Sequence, residues 1–240
     1  MFTKIKNYFS DWNLFEKLYL SIGILVGILS SIIFHGTVID SLYTITYLTT
    51  ALLMSKGKVE SYFIGFISVF FYGIVSYNQE YYGELLITIF LTFPIMIIGI
   101  ISWLRHQDKE DDVVIISSLS KKEIILAFSS QLVLYWIYFF ILKLFNTDLL
   151  VISSLSVVTS VLASYFEARR SELSLFCYIA NDIVIITLWL IPIISGQTQL
   201  ISVIVGPILL LINDIYGSYN WKRLKEKQEK KNLDATKKDH

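Results

Sequence analysis

Long apolar runs, each ended by a short charged or turn-forming stretch, follow one another from Leu18 to Trp221. At about 1.5 Å of rise per residue, roughly 20 apolar residues cross a hydrocarbon layer about 30 Å thick. The pattern predicts eight membrane spans, over residues 18–36, 38–55, 60–77, 83–104, 122–145, 149–166, 173–194 and 199–221. Ahead of the first, Phe2, Ile5, Phe9, Trp12 and Phe15 recur at helical spacing. That spacing predicts an amphipathic segment over residues 1–17, lying in the membrane interface, with a loosely ordered leader as the alternative reading. No small-residue cleavage site follows the first apolar run, so this span is expected to stay in the mature chain. Ser120-Lys121-Lys122-Glu123 has the pattern of a capping box opening the fifth span. "YNQEYYGE" and "PIISGQT" read as turns, and Pro192 and Gly196 of the second are expected to close the seventh span. Residues 222–240 read as a charged, solvated tail.

Composition supports a multi-pass membrane protein. The 240 residues are 55% apolar and 15% aromatic, and only 17% are charged. A soluble domain holds about 25% charge. The charge is also sorted: 19 of the 20 Lys and Arg fall on one side of the eight-span topology, and Lys143 alone falls on the other. Lys and Arg are in excess in loops that stay in the cytoplasm, so both termini are expected there. The single cysteine, Cys177, can form no internal disulfide and reads as an apolar filler.

The fourth span closes with Gly99-x-x-x-Trp103 and the eighth with Gly217-x-x-x-Trp221, each beside a basic flank. Lys58 and Arg170 mark the loops that precede them by similar distances. The spacing predicts two three-helix repeats, 38–104 and 149–221. Three spans invert a chain, so two such units share an orientation only if an odd helix lies between them, here 122–145. The expected fold is an all-α membrane protein: two parallel three-helix repeats, a linker helix and an extra N-terminal helix at 18–36.

The segments "GFISVFFYGIVSYNQEYYGELL", "PIMIIGIISW" and "IYGSYNWKRL", with the two-repeat layout, resemble the PnuC family of vitamin and nucleoside transporters over nearly the whole chain. The resemblance implies a seven-helix core of three, one and three helices related to the SWEET architecture. It implies uncoupled facilitated diffusion of nicotinamide riboside, or of thiamine, riboflavin or a deoxyribonucleoside, across a bacterial plasma membrane. It also implies trapping of the substrate by a cytoplasmic kinase and a trimeric assembly. The nicotinamide riboside members resemble Trp-x-x-Trp-x-x-x-Asn in the seventh span, where this chain has Leu175, Tyr178 and Asp182. A typical amide position of the fourth span corresponds to Met96.

An Asp at a helix centre costs roughly 2.5–3.5 kcal/mol on insertion scales. Two such residues, Asp182 and Asp214, each follow an Asn (Asn181 and Asn213) inside apolar spans. Tyr178, Asp182 and Trp189 share one face of the seventh span; Gly206, Asn213, Gly217 and Asn220 form a stripe on the eighth. Convergence of these faces would build a cavity. Carboxylates and amides there would bond ribose hydroxyls, aromatic faces would stack on a ring, and a carboxylate would attract a cation. The other reading is that the Asn and Asp bond across helices. Gln131 and Trp136 of the linker helix and Tyr72 of the third span are further candidates, and Pro94 and Pro207 can loosen their helices.

No H-E-x-x-H or G-x-S-x-G is present, and His35, His106 and His240 lie outside the spans or at their ends. Metal hydrolysis and Ser-His chemistry find no support. An intramembrane enzyme would have to use Asp182 and Asp214 as a pair. The reading is of a transporter with a small-molecule substrate and the lipid bilayer as its partners, with no cofactor, no metal and no nucleic acid. The topology is checked by labelling single cysteines in intact cells: a cysteine placed at the C-terminus is expected to be protected from impermeant reagent.

Overall fold

The computed structural model describes residues 11–33, 37–78, 88–108, 110–145, 147–196 and 201–238. Most of the amphipathic stretch over 1–17, most of the "YNQEYYGE" turn, and His35 and His240 lie outside these residues. The helices are α1 (Leu14–Ile33), α2 (Val38–Ser55), α3 (Glu60–Asn78), α4 (Phe93–Arg105), α5 (Lys121–Leu144), α6 (Leu150–Ala168), α7 (Leu173–Ile194) and α8 (Ile201–Lys238). A π-helical turn, Thr88–Thr92, runs directly into α4, where Pro94 sits in the first turn. That position asks nothing of its missing N–H. Gln107–Asp108 (β1) and Val113–Val114 (β2) pair antiparallel as a small hairpin between α4 and α5. α1, α2, α3, the 88–105 segment, α5, α6 and α7 are each long and apolar enough to cross a membrane. α8 starts with the apolar run of the eighth expected span and continues unbroken through the basic tail to Lys238.

Helix ends follow local chemistry. Thr37 caps α2 in a full capping box with Asp40. Ser120 caps α5 by accepting Glu123 N at 3.2 Å. Glu123 does not bond back to the cap; its carboxylate takes Arg169 Nε at 2.7 Å and Tyr165 Oη at 2.9 Å. α7 continues through Pro192 to Ile194, and Gly196, at φ +104°, follows it.

α2 pairs closely with α3, and α6 with α7; α8 lies against both α7 and α2, and α4 against α6. The two turns at the tryptophan end have one build. Gly57 and Arg170 both have positive φ. Gly57 N bonds Met54 O and Lys58 N bonds Leu53 O, as Arg170 N bonds Glu167 O and Ser171 N bonds Phe166 O. The two indoles then cross: Trp103 Nε1 donates to Glu167 O and Trp221 Nε1 to Met54 O, each at 2.9 Å. Both rings are fully buried, with centroids 5.7 Å apart. Between the turns, Val114 N reaches Gly57 O at 2.8 Å and Ser117 N reaches Arg170 O at 2.9 Å.

The extension of α8 clasps this strip. Gln228 bonds Val114 O and Ile116 N. Lys227 pairs with Asp111 at 2.6 Å, and Lys231 with Glu110 at 2.6 Å and Asp108 at 3.1 Å. The Glu110 N–H and Lys231 hold the Asp108 carboxyl below its ordinary range, and Lys227 does the same for Asp111. Depressed carboxylates add stability near neutral pH that is lost as pH falls through their folded values. The residues read from sequence as a solvated tail are therefore bonded to the linker, because a helix with Lys and Gln three to four residues apart presents them to one acidic hairpin. At the other flank, Glu16 and Lys56 form a buried ion pair at 2.5 Å, and Tyr216 Oη donates to Glu16 at 2.6 Å.

Both Gly-x-x-x-Trp glycines stand at close approaches. A Cβ on Gly217 would lie 2.5 Å from Ser55 Oγ, and one on Gly99 would press on the Tyr62 ring; at Gly206 nothing lies within 4 Å. Gly217→Ala is expected to lower thermal stability by about 1–3 kcal/mol through overpacking. Gly206→Ala is expected to be neutral or slightly stabilising. Melting curves of the two purified variants check this: equal curves would remove close approach as the reason for Gly217.

Candidate functional site

An apolar helix carries no polar side chain at mid-span without cost, so the polar groups of α6, α7 and α8 define the site. In α7, Asn181 and Asp182 are 6% and 2% exposed; in α8, Asn213 and Asp214 are 0% and 8%. Asn181 Oδ1 accepts Thr159 Oγ1 at 2.8 Å. Asn213 Nδ2 lies within bonding distance of Ala51 O, Ser55 Oγ and Asp214 Oδ1, at 3.1, 2.8 and 3.0 Å. Asn213 is thus a cross-helix tie between α8 and α2. Asp182 is different: its Oδ2 is buried with no donor on it among the described residues.

These groups face a cavity of about 550 Å³. It lies among α2, α3, the 88–105 segment, α6, α7 and α8. Tyr72, Tyr178, Asn181, Asp182, Trp189 and Asp214 line it, as the sequence led one to expect. Asn213 stands immediately behind it. Gln131 and Trp136 do not reach it: α5 packs mainly on α6, outside the cavity. Trp136 is 56% exposed, and among the described residues its ring contacts are edge-on or tilted ones with Tyr135, Phe139 and Phe140 of its own helix. The apolar character of α5 all round concealed which face it turns inward.

Further lining residues escaped the sequence reading. Glu167 stands next to the basic loop, yet its carboxylate lines the cavity and takes Tyr178 Oη at 2.5 Å. Tyr43 stacks on Tyr47 with centroids 5.4 Å apart and meets Tyr72 at 5.3 Å. The three form an aromatic wall. Ser61 and Ser68 turn buried, unpartnered hydroxyls into the same space. The only sequence signal for them was small polar residues four to seven apart on the face of α3 that holds Tyr72. Met96 also lines the cavity, seven residues before Trp103 as Asp214 is seven before Trp221. Among the described residues no Lys, Arg or His lines the cavity, and none form a cluster able to bind a metal.

Residues 16–223 match the family model for the nicotinamide mononucleotide transporter. The chain is 23% identical to the nicotinamide riboside transporter PnuC of Neisseria mucosa over 91% of its own length and 85% of that protein. It is also 23% identical to the same transporter from Haemophilus influenzae, over 91% of this chain and 94% of the other. Its fold matches a crystal structure of the vitamin B3 transporter PnuC with a TM-score of 0.76 at 22% identity, covering 92% of this chain and 95% of that one.

Asn213→Ala is expected to cost about 1–3 kcal/mol of stability, since it strips the Ala51 carbonyl and Ser55 hydroxyl of a buried donor. Thermal unfolding measures the loss, and an unchanged melting temperature would move Asn213 from the packing of α8 to the cavity.

Proposed function

We propose that this chain, which belongs to the nicotinamide mononucleotide transporter family, carries nicotinamide riboside or a closely related vitamin or nucleoside into the bacterial cell. The observation that carries the reading is the cavity itself. It is a space of about 550 Å³ among apolar spans, lined by tyrosines, serine hydroxyls, an amide and carboxyls. That is a ligand-sized volume with partners for both halves of a riboside. The Tyr43–Tyr47–Tyr72 wall and Trp189 offer ring faces. Asn181, Asp182 and the Ser61 and Ser68 hydroxyls offer bonds to sugar oxygens. The names of the two relatives support nicotinamide riboside first; thiamine, riboflavin and deoxyribonucleosides follow as alternatives.

The remaining parts of the reading belong with it. Residues 38–104 and 149–221 act as two like units joined by α5, supported by their matching turns and crossed indole bonds. The tryptophan end, with most of the Lys and Arg, faces the cytoplasm. Transport is facilitated diffusion, and a cytoplasmic kinase retains the product. A trimer rests on the family resemblance alone.

Purified protein in sealed vesicles tests the mode: labelled nicotinamide riboside is expected to equilibrate without a proton or sodium gradient. Concentration of label only under an imposed gradient would overturn it. Asp182→Leu is expected to insert and fold, since it removes a buried carboxyl, and to lose binding by calorimetry. Full affinity in that variant would return Asp182 to helix packing.

A further inference from the structure

We propose that the bundle opens along one seam only, between α4 and α6, and that the matching seam between α2 and α8, fastened by α1, is its hinge. The proposal rests on the transport reading above, which requires the cavity to open, and adds where it opens.

Residues 38–104 and 149–221 meet along two seams, α8 on α2 and α4 on α6. The crossed indoles put the same bond in each. Beyond that bond the seams differ. Asn213 Nδ2 bonds Ala51 O at 3.1 Å and Ser55 Oγ at 2.8 Å, and Asn220 Nδ2 bonds Ser55 O at 2.9 Å. The tryptophans and the two like turns set a common register. Asn213 lies eight residues before Trp221, and Ile95 eight before Trp103; Ser55 lies two before Gly57, and Ala168 two before Arg170. The Asn–Ser tie of one seam is thus an Ile and an Ala in the other. Among the described residues, Trp103 to Glu167 O is the single hydrogen bond between α4 and α6.

α1 widens the difference. It lies close along α2: a Cβ on Gly23 would stand 2.9 Å from Leu48 Cδ1, and one on Gly27 2.5 Å from Thr44 Cγ2. Its first turn grips both sides of the α2–α8 seam. Glu16 pairs with Lys56 beyond α2 and accepts Tyr216 Oη of α8 at 2.6 Å. Asn13 Nδ2 reaches the same hydroxyl at 3.0 Å, and the Phe15 ring lies 4.5 Å from that of Tyr216. α5 packs mainly on α6, and among the described residues no hydrogen bond ties it to α4. In lipid, apolar helix faces gain little from one another, because the tails are as apolar as they are. The α4–α6 faces can part and be covered by tails, whereas parting α2 from α8 would strand amides and a hydroxyl in hydrocarbon. α4 also begins in the π-turn Thr88–Thr92, an interruption at which helices bend.

Spin labels read the two seams in full-length protein in bilayers, on a Cys177→Ala background. Phe90 and Val151 report on α4–α6, and Leu42 and Ile208 on α2–α8; all four are exposed. In ligand-free protein the first pair is expected to show two distances and the second pair one. Nicotinamide riboside is expected to shift the populations of the first pair and leave the second unchanged. Ser55→Ala/Asn213→Leu removes both partners of the tie and is expected to give the Leu42–Ile208 pair a second distance. A single distance at Phe90–Val151 in ligand-free protein, two at Leu42–Ile208 in the wild type, or one at Leu42–Ile208 in the folded double variant would overturn the proposal. If the double variant aggregates, the wild-type distances decide alone. If the riboside moves neither pair, the riboside reading fails instead, and the ligand-free distances still judge the hinge.

Discussion

Two crossed indole–carbonyl bonds hold the architecture at one end. Trp103 reaches the last turn of α6 and Trp221 the last turn of α2, so each ties a helix to the far pair of helices, not to its own neighbour. A carbonyl in the last turn of a helix has no partner within that helix, and in a membrane protein a buried one must find a donor elsewhere. Here the turn supplies one donor, Gly57 N to Met54 O and Arg170 N to Glu167 O, the indole N–H adds a second, and the large buried ring fills the space between the turns. Because both turns are built alike, the bonds come as a pair. Their closeness also requires glycine four residues earlier on each tryptophan helix. The cavity opens where this packing stops.

Polarity inside the bundle divides by role. Asn213 and Ser55 spend their bonds between α8 and α2. Asn181 is tied to Thr159 of α6. Asp182, Ser61 and Ser68 leave buried atoms unpaired, and all three line the cavity. Desolvation cannot be avoided by a buried polar atom; it is met by a neighbour or by a guest. Asn213 Oδ1 is also buried without a partner among the described residues, so pairing is informative only on the cavity wall, where Asn181 Oδ1 is bonded and the adjacent Asp182 Oδ2 is not.

Much of the fold was legible from sequence because hydrocarbon thickness fixes span length and a basic flank fixes each end. The predicted 173–194 and 38–55 match α7 and α2. The first span was placed four residues late, since Leu14–Lys17 carries two charges, of which Glu16 turns out to be a buried partner of Lys56. Six of the nine candidate site residues line the cavity, because mid-span polarity is costly enough to be informative. Gln131 and Trp136 do not, since a helix apolar on every face gives no signal of which side packs. Glu167 was hidden for the opposite reason: a carboxylate beside arginines looks like an ordinary interfacial residue. The helical extension of α8 was missed because its Lys and Glu pattern is the same whether the segment is solvated or docked; only the acidic hairpin decides.

α8 joins two places that differ in kind. Asp214 belongs to the cavity and Lys231 to the clasp, and the helix runs unbroken between them. Seventeen residues at about 1.5 Å each make a rod roughly 26 Å long. A straight helix bends little over that length, so a tilt of its inner end by a few degrees swings its outer end by an ångström or more. Ion pairs at the outer end tolerate such travel, whereas interlocked side chains would resist it. One continuous element thereby serves as a wall of the chamber at one end and as the anchor of an acidic hairpin at the other, with the buried Trp221 pinned between them.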